Sequence, residues 1–201
     1  MNRKRILIVF ATLAMLVCVA MSVCANGSDK QEEQNVLERN HKVLVAYFSW
    51  SGNTKAVGQY IAQKTKADVF EVERAKPYPD KYELCVKEAH AETGKRPALK
   101  GDIKNISDYD VIFIGTPVWS GSIPMPMFTF LEGHDFKGKT VIPFCTCYTS
   151  EGNSLNDIIK ATVQSKHLDG ISIATRELGG KDIDKQYGNV DKWLKGIGLI
   201  Q

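Results

Sequence analysis

The stretch Val43-Leu44-Val45-Ala46-Tyr47-Phe48-Ser49-Trp50-Ser51-Gly52-Asn53-Thr54 decides the fold. Its first half is a short, unbroken apolar run, the pattern of a strand buried on both faces of a parallel sheet. Its second half is a Ser/Gly cluster running into Ala56, Val57, Tyr60, Ile61 and Lys64, which recur at helical spacing and predict a helix over residues 53–66. Strand, tight polar turn and helix, in that order, open an α/β unit.

The same alternation continues to the C-terminus. Residues 68–74 read as a second, more exposed strand ended by Pro77 and Pro79, and 82–93 as a helix. Residues 94–105, rich in Lys, Gly and Pro, read as a loop. Val111-Ile112-Phe113-Ile114 is the strongest strand signal in the chain and predicts a central strand over 110–115. A short helix (127–132), a fourth strand (140–145), a helix (155–164), a fifth strand (170–174) and a terminal helix (187–199) follow. This pattern specifies an α/β domain: a doubly wound five-stranded parallel sheet with helices on both faces.

The N-terminus is set apart by composition. Arg3, Lys4 and Arg5 precede an apolar run from Ile6 to Met21 and the small-residue exit Ser22-Val23-Cys24-Ala25. This reads as an export signal over 1–25, with cleavage after Ala25 leaving Asn26 first. An uncleaved anchor is the rival, since the run has about the length of a membrane-spanning helix; lipidation at Cys24 is a third reading. Residues 26–41 are polar and read as a flexible tether, which leaves 42–201 as the folded domain. The expected location is exported, periplasmic or extracellular, with membrane contact only if the leader is retained or lipidated.

The formal net charge of +3 equals the charge of Arg3, Lys4 and Arg5, so the remainder is balanced and has no electrostatic case for nucleic acid. Beyond the leader only Cys85, Cys145 and Cys147 remain, an odd number for a disulfide framework. Cys145 and Cys147 are expected on opposite faces of the fourth strand's end, one buried and one exposed. His41, His90, His134 and His167 are scattered at spacings that suggest no metal.

In open parallel sheets ligands bind beyond the carboxyl ends of the strands, which singles out three segments. Ser49, Trp50, Ser51, Gly52, Asn53 and Thr54 lead into a helix N-terminus, whose free amides and partial positive charge suit a phosphate. No lysine stands among them, so a terminal monophosphate fits better than a triphosphate. Simple helix capping by Ser51 or Asn53 uses the same residue types. The second segment is Gly115-Thr116-Pro117-Val118-Trp119-Ser120-Gly121, where an indole at the mouth of a central strand offers a stacking face. The third is Thr146-Cys147-Tyr148-Thr149-Ser150-Glu151-Gly152-Asn153, which should border the same crevice.

The first segment resembles the flavodoxin family, whose first strand ends in [Ser/Thr]-x-[Ser/Thr]-Gly-Asn-Thr around the phosphate of FMN. The second resembles the same family's Pro-x-Trp-aromatic-Gly segment, and element order agrees over most of residues 42–200, as in the subgroup with a long loop before the third strand. The resemblance implies strand order 2-1-3-4-5 and FMN as cofactor. It implies that Ser49 to Thr54 bind the phosphate, and that Thr116, Pro117, Val118, Trp119 and Gly121 flank the flavin ring. Trp119 is then the stacker and Gly121 the backbone facing the ring. In the third segment (Thr146, Cys147, Tyr148, Gly152) the hydroxyls and backbone donors suit the ring's pyrimidine edge, and Tyr148 is read either as cover for the second flavin face or as an exposed loop residue. Ser120 departs from the family, where a second large aromatic often stands. No catalytic residue is assigned. The expected function is electron carriage through bound flavin, with a redox partner protein or a small-molecule electron acceptor. Carrier flavodoxins are strongly acidic and this domain is not, which keeps an FMN-dependent oxidoreductase acting on a small substrate such as a quinone, or a non-redox FMN-binding module, as alternatives.

Overall fold

The computed structural model describes residues 41–175 and 183–201. The expected export signal, and the tether apart from His41, lie outside the described residues.

Strands β1 (Val43–Tyr47), β2 (Asp68–Glu71), β3 (Val111–Pro117) and β4 (Thr140–Cys147) pair in parallel in the order β2-β1-β3-β4. Two short strands, β5 (Lys166–His167) and β6 (Ile171–Ala174), complete the far edge, both parallel to β4. The topology is therefore the expected 2-1-3-4-5, with the fifth strand interrupted. Leu44, Val45, Ala46, Ile112, Phe113 and Ile114 are all fully buried. Both faces of β1 and β3 are covered, which is why these strands read as unbroken apolar runs.

Helices α1 (Asn53–Thr65) and α5 (Tyr187–Gly196) cover one face. Gly58 of α1 rides on the Tyr47 ring, where a Cβ would come within 2.6 Å of Cδ1, and Trp193 of α5 meets Phe113 edge-on with ring centroids 5.8 Å apart. Helices α2 (Tyr82–Ala91), α3 (Met125–Glu132) and α4 (Ser154–Ala161) cover the other face. There Cys85, Met127, Phe130 and Ile158 join Leu44, Ala46, Ile112 and Ile114 in one apolar cluster.

Several strand expectations change. The second strand ends at Glu71, three residues short of the expected 74. The chain around Arg74 instead forms an antiparallel bridge with Leu99, and Lys100 N–H donates to Glu73 O at 2.8 Å. The long loop thus folds back onto the end of β2.

The expected fifth strand (170–174) is β6, and β5, which was not expected, precedes it on the same edge across a break. Val141 faces that edge, accepting from Leu168 N–H at 3.3 Å, and so by strand period does Pro143, which has no N–H to give. One extra residue bulges past this gap, since His167 pairs with Val141 and Ile171 with Phe144. Gly170 fits there because a Cβ would lie 2.6 Å from Pro143 O.

β4 runs two residues beyond its expected end, through Cys147. Residues two apart on a strand share a face, so Cys145 and Cys147 do not diverge, and both are buried. The expected exposure of Cys147 is corrected accordingly.

Candidate functional site

The three segments picked out by sequence all emerge at the C-terminal edge of the sheet. In the first, Ser49 Oγ accepts from Gly52 N–H at 3.2 Å, closing a turn that leaves Gly52 at φ 93 as the N-cap of α1. Gly52 makes no side-chain cap hydrogen bond and the first turn holds no acidic residue. The positive end of the helix dipole therefore points into the loop with no acidic side chain of its own first turn to meet it. Lys55, the nearest cation in sequence, is tied to Glu71 at 2.6 Å. Trp50 Nε1 donates to Pro79 O at 3.2 Å, and its ring lies tilted against Tyr82 at 6.3 Å.

Thr54 is buried, and its Oγ1 lies 2.7 Å from Thr146 Oγ1 at the end of β4. This hydrogen bond fastens the first segment to the third.

The second segment forms a tight hairpin. Trp119 and Ser122 exchange both backbone hydrogen bonds, at 2.9 and 3.0 Å, around Ser120 (φ 50) and Gly121 (φ 77). Two positive φ values in succession define a type I′ turn, which glycine tolerates freely and serine does not. Gly121 O then accepts from Asn153 N–H at 2.7 Å. Gly152 passes so close that a Cβ would lie 2.4 Å from Gly121 O. The second and third segments are thereby pinned together by backbone alone.

Trp119 is half-buried. Its indole meets Phe48 edge-on at 5.6 Å and Tyr78 at 5.0 Å. Tyr78 O–H donates to the buried Glu92 carboxylate, which pairs with Arg74 at 2.8 Å; Arg74 also stacks on the Tyr78 ring at 4.5 Å. Burial and the adjoining carboxylate push the Tyr78 phenol well above its ordinary value, so it remains a donor.

These segments enclose a cleft of about 370 Å³, within the range of small-molecule sites. Of the sequence-predicted residues, Trp50, Ser51, Asn53, Pro117, Val118, Trp119, Thr146, Cys147 and Tyr148 line it. Tyr148 stands 61% exposed at its mouth. Ser49 lines an adjoining cavity instead. Gly52, Thr54, Gly121 and Gly152 shape the loops from behind, and buried Thr116 spends its hydroxyl on Pro117 O at 2.9 Å.

Sequence reasoning missed the opposite wall, formed by Tyr82, Cys85, Val86, Ala89 and His90 of α2, together with Thr175. The signal was present as positions 82, 85, 86, 89 and 90 at helical spacing, but such a stripe ordinarily marks core. Burial raises the Cys85 thiol pKa above its ordinary value, and that of Cys145 to about 12, so both remain thiols near neutral pH. Among the described residues no group of three or more His, Cys, Asp or Glu side chains is placed to hold a metal ion.

A doubly wound parallel sheet with a cleft over its central strand ends, whose described lining holds no Lys, Arg, Asp or Glu, defines a small-molecule-binding α/β protein. The sequence model of the flavodoxin family matches residues 42–189, most of the chain, and the protein belongs to that family. Its fold is similar to that of a protein assigned as a flavoprotein from Bacteroides eggerthii, at 32% identity and TM-score 0.63, covering 79% of this chain and 98% of the other. A similarly assigned protein from Bacteroides uniformis shows 30% identity and TM-score 0.59, covering 73% and 99%. A Lactobacillus acidophilus flavoprotein, solved in complex with FMN, shows the same fold at 22% identity and TM-score 0.57, covering 69% and 97%. An NAD(P)H dehydrogenase (quinone) from Cupriavidus metallidurans is 31% identical over 91 residues, and the matched region spans 45% of either chain.

Proposed function

We propose that this protein binds FMN across the three strand-end segments and handles electrons through it. The observation that carries this reading is the Thr54–Thr146 hydrogen bond at 2.7 Å, which locks a phosphate-type helix N-terminus to the loop that borders the cleft. The residues fit the cofactor's chemistry. The uncapped start of α1 and the exposed hydroxyl of Ser51 supply donors for a terminal phosphate. Trp119 and Tyr148 supply aromatic surface for the ring, and the fixed backbone of Gly121 and Gly152 holds their loops in place. Bound FMN supplies the redox chemistry, so no protein acid or base is required of these residues. The L. acidophilus relative in complex with FMN supports the same cofactor here.

The test is comparative binding. FMN should bind far more tightly than riboflavin, and Ser51→Ala should narrow the difference, the lost hydrogen bond to a charged group being worth ~1.5–3 kcal/mol. Equal affinity for the two flavins rejects the phosphate assignment.

Two observations favour an oxidoreductase acting on a small acceptor over a carrier docking a protein. One is the balanced net charge of residues 26–201, in contrast to the strongly acidic composition that steers carriers to basic partners. The other is the resemblance to a quinone-reducing dehydrogenase over part of its length. Turnover of a nicotinamide donor with a quinone by the FMN-loaded protein separates the two; a flavin that is reducible yet inert toward quinone argues for the carrier. The basic, apolar and small-residue order of residues 1–25 supports action outside the cytoplasm, which fractionation with N-terminal sequencing checks.

A further inference from the structure

Two neighbouring cavities meet at His90 and Ser120. The first is the cleft described above, whose α2 wall has no part in the cofactor reading. That wall presents Tyr82, Val86 and Ala89 in a row, ending at His90. No Lys, Arg, Asp or Glu is among the described residues that line this cleft. A charged ligand group would be desolvated there without a counter-charge from those residues, whereas a neutral planar one would bury both faces at little cost.

The polar end of the wall is specific. His90 Nε2 lies 3.3 Å from Ser120 Oγ, and both residues are exposed rather than locked into the core. Ser120 holds a left-handed backbone (φ 50) that a serine rarely adopts. Strain of this kind persists where the surroundings enforce it and gathers at ligand sites. Beyond the pair lies a second cavity of about 360 Å³, which shares Ala89, His90, Trp119 and Ser120 and continues over Ile123, Met125 and Phe128. Its cation, Arg96, is matched by Glu132 through two contacts of 2.6 Å.

We infer that the α2 wall is the binding site of the electron acceptor, a neutral planar carbonyl compound of the quinone class. The His90–Ser120 pair holds one of its oxygens, and ring substituents extend into the second cavity. The inference rests on the proposed reading of an FMN-dependent oxidoreductase with a quinone acceptor, which assigns the opposite wall to the cofactor. A quinone oxygen is an acceptor without a proton, so it needs a donor. The imidazole N–H and serine O–H are the donors at this end of the wall, and each can exchange its present partner for the incoming oxygen.

The experiment is equilibrium dialysis of the purified protein, with and without FMN. The two probes are 2,3-dimethyl-1,4-naphthoquinone and 2,3-dimethylnaphthalene. The quinone is fully substituted, so the Cys85 and Cys147 thiols cannot add at an open ring carbon. Wild type should bind the quinone about tenfold more tightly than the hydrocarbon, a difference of about 1.4 kcal/mol. In His90→Leu that preference should fall to within about twofold while hydrocarbon binding is retained, and His90→Gln, which keeps a donor, should restore most of it. A His90→Leu protein that is folded by circular dichroism and keeps the full preference overturns the inference, as does a wild type with no preference. FMN uptake is read separately from its visible absorbance. A protein that takes up no FMN refutes the cofactor reading, while the probe preference and its dependence on His90 are still measured on the same sample.

Discussion

Thr54 Oγ1 and Thr146 Oγ1 meet at 2.7 Å although 92 positions separate them in the chain. Both residues are buried, so each hydroxyl has exchanged water for the other. Thr54→Val keeps the shape of the side chain and strands the Thr146 hydroxyl. It should destabilise the protein by ~1–3 kcal/mol and weaken FMN binding, because the phosphate segment is no longer fastened to its neighbour. Thr54→Val with Thr146→Val removes both groups and should recover part of the stability. Urea unfolding of the four proteins in the cycle reads the coupling, and strict additivity would show that the contact contributes nothing.

Gly115 sits where the central strand passes the Phe144 ring. A Cβ at that position would lie 2.1 Å from Cζ, closer than any real contact. Gly115→Ala is therefore expected to cost ~1–3 kcal/mol or more through overpacking, at the first residue of the segment that carries Trp119. Phe144→Leu should relieve the clash, making the double variant more stable than Gly115→Ala alone. A double variant less stable than both single ones would place the strain elsewhere.

The sequence made the sheet and its ligand edge legible because burial on both faces leaves an unmistakable apolar run, as in Val111 to Ile114, and because polar turns follow at a fixed place. What it hid depends on partners far away in the chain. Nothing local in residues 68–74 announces that Arg74 will pair with Leu99. The break between β5 and β6 follows from a proline in the neighbouring strand, and the local hint of it in 166–174 is Gly170. The α2 wall escaped because Tyr82, Val86 and Ala89 have the spacing of a core stripe, and only the tertiary fold turns them toward a cleft.

Two buried acids on the sheet make stability sensitive to alkali. Burial, with Glu71 nearby, pushes the Tyr47 phenol from 10.0 up to about 12, and burial pushes the Cys145 thiol from 9.0 up to about 12. For a raised folded-state value, the stability contribution is intact below the unfolded value and is lost as pH rises through the folded one. Between those limits the unfolded chain releases protons that the native state keeps. Unfolding free energy should therefore be level from about pH 7 to 8 and fall steadily from about pH 9 toward 12. Urea titrations across that range check it, and Cys145→Ala should flatten the lower part of the decline. A profile unchanged by that substitution would show that Cys145 does not contribute.

The last expectation concerns how Trp119 is held. Its indole is braced edge-on by Phe48 and Tyr78, each such pair worth ~0.5–1.5 kcal/mol. Tyr78 is in turn fixed by the Glu92 carboxylate and covered by Arg74. Trp119→Ala should weaken FMN binding and raise its reduction potential, since the electron-rich face that disfavours added negative charge on the ring is gone. Tyr78→Phe separates holding from touching, because it keeps the ring against Trp119 and removes only the hydroxyl. It leaves a buried carboxylate short of one donor, so stability should fall by ~1–3 kcal/mol, while the potential moves in the Trp119→Ala direction by a smaller amount. A Tyr78→Phe protein that loses stability with an unmoved potential would mean that Phe48 and the rest of the cluster suffice to orient Trp119. An unmoved potential in Trp119→Ala itself would shift the ring contact to Tyr148, an exposed aromatic residue of the third segment that lines the cleft.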